Sequence, residues 1–565
     1  MNIAKTHLLG CQLTLFGSAV TFGLFPTNSR HDGLAVAELM ESVMLSAEIK
    51  GWQIGAVVTD NAGQCGRARR ILALRWPKVI FLICFAHDIN NLVKAVLRSA
   101  FREVTAQASE AVNCLNASSS KWLHRARNAM IRTYGSHRAL MPMCETRWNS
   151  MQGCFASLLR ARSALEVFAV MNHDEDNYPA ALKVLDNPQF WVSLREAEMV
   201  VRPLCFASYK LQADENTLAD VITCFRDIFD GFVTCEQRDT LVPTIEKRWN
   251  ACEQPLIMLA LFLHPDHLSE ARALPCTDVS GLDNMCTFAT FYYQKLIGGD
   301  PVTLRGEIHD WMRGRFVSGS LSNFSSCSLP PLAAFWRFTR DCRPDAFLPH
   351  LAMVIFSVAV NTATCERYFS ELALIHTAKR NRMSPEKARK ISVVRKLVRD
   401  RDGKESPNKA DMSPDKRIVN PSEPEKLVGF GTPNRIRSDP QCASPIGPQP
   451  NQHPEAESSP TFELSDTDVE ESNDHFIEGE DPIGSWEEVL EGLIDSDDDS
   501  SGDDSPAMTF VEEDGNVETT SRDGYPPFPN RNDKDFPQEA ALHGLRGRKA
   551  TLEELFMLAV PRSTL

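Results

Sequence analysis

"QIGAVVTDNAGQCGRARRILALRWPKVIFLICFAHDINNLVKAVLRSAF", residues 53–101, decides the fold class. "QIGAVVTD" is an apolar run ending at Asp60. "GRARRILALRW" has helical spacing and is stopped by Pro77, "KVIFLICFAH" is a second apolar run, and "DINNLVKAVLRSAF" a second helix. The β-α-β-α order predicts an α/β layer whose sheet is at least partly parallel. In such sheets ligands sit at the carboxyl ends of strands, where Asp60 and His87 both fall. Two readings of Asp60 stay open: a metal-binding carboxylate at a strand end, or the N-cap of the helix that follows.

Upstream, residues 11–25 mix β-branched and aromatic residues around Gly17 and Gly23, as strands do. Residues 1–20 loosely imitate a secretory signal, but Gln12, Thr14 and Ser18 interrupt the apolar run, so strands are expected there instead. "HDGLAVAELMESVMLSAEIKGW" (31–52) reads as a helix, with Leu34, Ala37, Leu39 and Met40 at helical spacing.

Downstream, residues 155–345 carry long amphipathic patterns such as "SLREAEMVVRPLCFASYKLQ" and "ADVITCFRDIFDGFV", which predict a large all-helical module. Residues 349–400 close the folded part as apolar helices with a basic end. No segment is long and apolar enough to span a membrane, and the sixteen cysteines contain no C-x-x-C pair. Neither a dense disulfide scaffold nor a four-cysteine zinc site is written there, and a reducing compartment is the simpler reading.

The net charge of −15 hides a split. Residues 401–565 hold 15 Lys+Arg against 37 Asp+Glu, whereas the first 400 hold 45 against 38. A mildly basic body can meet a phosphate backbone, and an acidic tail competes with it. Residues 461–520 contain 22 acidic residues and no Lys or Arg. Such a segment cannot bury enough apolar surface to offset its ordering entropy, so a disordered acidic tail is expected. Two islands break the pattern: 485–505, with Trp486, Val489, Leu490, Leu493 and Ile494 at helical spacing, and "ATLEELFMLAV" at 550–560. Either is a candidate docking motif or an incidental amphipathic scrap.

Five motifs in order carry a resemblance: "HDG" (31–33) with "VVTDNA" (57–62), "CFAH" (84–87), "ETRWNSM" (145–151), "CERYFS" (365–370) and "KRNRMSPEKA" (379–388). Together they resemble the hAT (hobo/Activator) transposases. The resemblance implies a ribonuclease H-like core interrupted by a helical insertion, a C-terminal dimerisation region and a nuclear location. It divides the chain into a core part at 1–150, truncated at its start, an insertion at 151–344, a closing and dimerising part at 345–400, and the tail at 401–565.

Carried over, Asp60 is a catalytic, metal-binding carboxylate and Glu366 the closing glutamate, holding Mg²⁺ or Mn²⁺ if the protein cuts DNA. The family's serine before that glutamate is Cys365 here. Cys84 and His87 would lie close to the site, or be a buried thiol and a core histidine. Arg147 and Trp148 would contact DNA, or cap a helix and fill a core gap. Lys379, Arg380 and Arg382, with Lys387, Arg389 and Lys390 beyond them, offer a basic face for DNA that could equally be a solvated one. Trp191, Trp249, Trp311 and Trp336 of the insertion are each candidates to stack on an unpaired base, or core residues.

One departure dominates. The family's first catalytic aspartate precedes the position of "HDG", yet residues 1–31 contain no Asp or Glu. Two of three carboxylates cannot hold two divalent cations with the right charge and geometry. The family's BED zinc finger is also missing from the residues given. The expectation is a transposase-derived protein that does not cut and acts as a homodimer or higher oligomer with weak, non-specific DNA binding. The alternatives are a fragment of an active metal-dependent transposase, and a regulatory protein whose acidic tail recruits nuclear partners.

Overall fold

The computed structural model describes residues 8–27, 32–61, 63–117, 121–144, 150–317, 319–375, 383–402, 418–421, 545 and 547–557, with the backbone alone at 385 and 396–402. Most of the acidic tail, including the island at 485–505, lies outside the described residues, as do Arg147, Trp148, Lys379, Arg380 and Arg382.

The chain opens with a hairpin of β1 (Leu8–Leu15) and β2 (Ser18–Pro26), paired antiparallel from Leu15↔Ser18 to Leu8↔Pro26. Its two-residue turn puts both Phe16 (φ 47°) and Gly17 (φ 78°) in the left-handed region, as a tight hairpin twisted to match its strands requires. Helix α1 (Gly33–Ile49) follows, capped by Asp32, whose Oδ1 accepts the N–H groups of Leu34 and Ala35 at 3.0 and 2.9 Å. The first carboxylate of the chain therefore belongs to a helix start, not to a strand.

Residues 53–101 hold β3 (Ala56–Thr59), α2 (Gly63–Arg75), β4 (Ile80–Ile83) and α3 (Phe85–Ser99), in the expected order, but Phe85–His87 open α3 rather than end the second apolar run. Strands β3 and β4 are parallel, in register from Ala56↔Ile80 to Thr59↔Ile83. Helix α2 packs on α1 and on β4. The α1–α2 contact holds a buried ion pair, in which Glu41 accepts from Arg75 Nε and Nη2 at 2.9 and 2.8 Å and from Trp76 Nε1 at 2.8 Å.

Among the described residues the strands form two two-stranded sheets rather than one continuous layer. The hairpin lies instead against two late helices, β1 on α16 (Ala363–Ile375) and β2 on α17 (Pro385–Asp402). The expected α/β layer is thus limited, among the described residues, to β3-α2-β4 with its flanking helices, and most of those residues are helical.

Helices α4 (Arg102–Asn116) and α5 (Lys121–Tyr134) already pack on α6 (Ser150–Asn172), and α4 also on α7 (Pro188–Leu211). The module continues through α8 (Leu218–Val233), α9 (Arg238–Ala251), α10 (Gln254–Leu263), α11 (Leu268–Ala273), α12 (Leu282–Leu296), α13 (Leu304–Met312), α14 (Pro331–Cys342) and α15 (Leu348–Phe356). Helix α10, "QPLIMLALFL", is apolar all round, as a helix surrounded by others must be, and every one of its residues is buried. Helix α3 joins this core by packing on α7 and α9, with Arg248 Nη1 2.8 Å from the buried Asp88 Oδ1. The apolar stretch 351–360 packs through α15 on α10, α12, α13 and α14, and at its end Val360 O accepts from Phe85 N–H at 3.0 Å.

Candidate active site

Three chain segments converge at the carboxyl ends of β3 and β4. The first is Thr59–Asn61, where the strand runs out. Arg69, buried on α2, reaches back across this turn. Its guanidinium donates to Thr59 Oγ1, to the Asp60 carbonyl and, at 2.9 Å, to Asn61 Oδ1. The turn is thus held by the helix that follows it, and Asp60 has a fixed backbone. Its carboxylate accepts from the Cys65 thiol in the first turn of α2. Burial, with that carboxylate beside it, pushes the thiol up to about 12.

The second segment is the start of α3. Cys84 is the residue before the helix; its N–H donates to Thr59 O at 2.7 Å, joining it to β3. His87 follows three residues on, a spacing that puts both side chains on one face of the helix.

The third segment is the start of α16. Asn361 caps it by accepting from Ala363 N–H at 2.8 Å, while its own amide donates to Ala213 O at 3.1 Å. Thr362 N–H donates to Cys84 Sγ at 3.2 Å, and Thr362 Oγ1 lies 3.5 Å from His87 Nδ1. Glu366, in the first turn, brings Oε1 to 3.3 Å from His87 Nε2. Cys84 and His87 are thus a buried thiol and a partly buried histidine, and both face the helix that carries Glu366.

The electrostatics of this cluster favour neutral groups. Burial pushes the Glu366 carboxyl up to about 7, against the pull of Arg367 and with Asp60 adding to the rise. Burial also lowers His87, with Asp60 opposing and Lys94 assisting. Glu366 Oε1 is buried without a well-formed hydrogen bond. A proton on that carboxyl would bridge to His87 Nε2, and the histidine's Nδ1–H would then donate to Thr362 Oγ1.

Arg367 points away from this cluster. It grips Asp214, in the loop between α7 and α8, with Nη2 2.6 Å from each carboxylate oxygen, and donates to Gln212 O at 3.2 Å. This clamp fixes the start of α16, and hence Glu366, relative to the helical module. Sequence reasoning missed Asp214, Arg69 and Thr362. Arg367 inside "CERYFS" was the available signal for a carboxylate partner, since a half-buried guanidinium needs one, but nothing local pointed to residue 214.

Asp60, Glu366, Cys84 and His87 are therefore brought together, whereas the five DNA-contact candidates lie outside the described residues. Of the outer basic residues, Arg389 and Lys390 pair with Glu386 at 2.8 and 3.6 Å. The base-stacking candidates are corrected. Trp191, Trp249 and Trp336 are 0% exposed and Trp311 3%, so all four are core residues. Three of them donate to backbone carbonyls: Trp191 to Leu185, Trp249 to Ala550 and Trp311 to Phe262.

Among the described residues no group of three or more His, Cys, Asp or Glu side chains is placed to hold a metal ion. What the cluster can do is share a proton between the Glu366 carboxyl and the His87 imidazole, 3.3 Å apart.

Among curated proteins no relative matches the chain. Residues 328–397, which hold α14 to α16, most of α17 and Glu366 itself, match the model of the hAT family C-terminal dimerisation region, and this match supports membership of the hAT family.

Proposed function

We propose that this is a hAT transposase-derived protein that works by self-association through residues 328–397 and that binds nucleic acid weakly rather than cutting it. The observation that carries the reading is the match to the dimerisation region. It is supported by apolar side chains left exposed within the same span: Leu374 at 71%, Val394 at 58% and Phe338 at 50%. Large apolar groups left in water on one region are what an association surface presents.

The finer architecture belongs to the same proposal. A β hairpin, a parallel β-α-β unit, a long helical interruption and a late helix returning a glutamate to the strand ends support a ribonuclease H-like ancestry. In this reading Asp60 and Glu366 are inherited catalytic positions. Glu366 now shares a proton with His87 rather than ligating a cation, and Arg69 and Arg367 keep both segments in place. The nucleus is the proposed location, and the basic residues around 379–390 the proposed DNA contacts.

A plasmid-nicking assay with Mn²⁺, run beside a gel-shift assay at low salt, tests the proposal. Salt-sensitive binding without nicking is expected. Nicking by the wild-type chain that disappears in Glu366→Gln would overturn it.

A further inference from the structure

The C-terminal island "ATLEELFMLAV" has a receptor on its own chain. Residues 547–557 lie on the helical module against α9, α10 and α12, with Leu552 and Leu555 at 0% exposure and Ala550 at 5%. The surface beneath them offers groups that the module's own sequence leaves unused. Trp249 Nε1–H donates to Ala550 O at 2.9 Å, and Gln254 Oε1 accepts from Ala550 N–H at 2.9 Å. The two oxygens of Glu246 accept from Leu552 N–H at 3.0 Å and from Glu553 N–H at 3.1 Å. With the segment in place Trp249 and Gln254 are both 0% exposed, and each gives it a hydrogen bond.

The segment is itself prepared for this position. Thr551 and Glu554 exchange backbone and side-chain bonds at 2.8 and 3.0 Å, the reciprocal pattern that starts a helical turn. Arg548 donates to Asn284 Oδ1 and Lys549 to Asn250 O at the rim. Recognition by backbone at Ala550, by two leucines in apolar pockets and by charge at the rim is how short peptide ligands are bound.

We propose that the face of α9, α10 and α12 is a peptide-docking groove whose ligand is the chain's own segment Arg548–Phe556, held by tether and releasable. The ligand class is a short peptide with a basic pair, Ala-Thr-Leu, two spacers and Leu-Phe. Docking also closes a loop. Val419 exchanges two bonds with Gln152, at 3.2 and 2.7 Å, so both ends of residues 422–544 are fixed to the body. That span carries 31 Asp+Glu against 6 Lys+Arg.

The test uses the full-length chain and a fluorescent synthetic peptide of residues 545–557, read by anisotropy. Leu552→Asp with Leu555→Asp in the chain vacates the groove. The peptide is expected to bind that variant at least tenfold more tightly than the wild type, whose groove is already occupied. Adding Glu246→Ala to the vacated chain should remove the binding. Equal binding to both chains, or none to a vacated chain of unchanged helical content, overturns the proposal. If the vacated chain does not fold, the segment is a fixed strut and the proposal also fails. On the wild-type chain, amides of 550–553 should exchange with deuterium faster than those of α9; equally slow exchange would mean an unreleasable segment. These residues lie outside 328–397, so failure here leaves the self-association reading untouched.

Discussion

Replacing Glu366 by Gln should stabilise the protein at alkaline pH and change nothing in acid. The carboxyl sits with one oxygen buried beside His87 and within the field of Asp60, which raises it from 4.5 to about 7. A group whose folded value is raised is free of penalty below about pH 4.5, where it is protonated in both states. Stability is lost as pH climbs through the window from 4.5 to 7, because folding then opposes ionisation. At face value a shift of this size corresponds to about 3 kcal/mol. The side chain is 41% exposed, so solvent screens much of that, and about 1 kcal/mol is the expected difference. Glutamine keeps the shape and cannot ionise. Thermal melting of both chains from pH 4 to 8.5 reads the effect: the Glu366→Gln midpoint should coincide with wild type near pH 4 and rise above it by about 1 °C or more at pH 8. A variant that melts lower than wild type at pH 8 would refute the argument, because it would mean that the ionised glutamate is stabilised by a partner.

Two further changes probe the frame around the site. Glu41→Gln leaves the Arg75 guanidinium, only 3% exposed, without its carboxylate and should cost about 3 kcal/mol, measured as a fall in the urea midpoint at constant slope. Arg367→Lys removes the guanidinium's simultaneous hold on Asp214 through Nη2 and on Gln212 O through Nη1 and should cost about 1 kcal/mol, seen as roughly fivefold faster hydrogen exchange in α16 while α8 amides stay unchanged.

How much of this was legible in the sequence differs by element. The β3-α2-β4-α3 unit was readable because each boundary has a local cause: Asp60 ends an apolar run, Pro77 ends a helix, and the helices repeat at their own period. The module from 155 to 345 was readable for the same reason. The split of the strands into two sheets was not, since strand pairing is a long-range choice. Here it is decided by α16 and α17, more than 330 residues away, covering the hairpin.

At the site, Asp60, Cys84, His87 and Glu366 were found through motif order, and their convergence is a property of three distant segments. Arg69, Thr362 and Asp214 carry no motif and act by reaching across the fold. The tryptophans were left open between base stacking, which the resemblance implies, and the core, and their burial decides for the core. The terminal island was visible as an apolar pattern, but its receptor, built from Glu246, Trp249 and Gln254, was not.

Self-association through residues 328–397 is the central claim, and sedimentation velocity tests it most directly. The full chain at about 10 μM should sediment as a dimer or larger species, and Leu374→Glu, which puts a charge on an apolar residue of that span that is 71% exposed, should shift it towards monomer. A wild-type chain that stays monomeric at that concentration, or a Leu374→Glu variant that sediments as wild type does, would contradict the account.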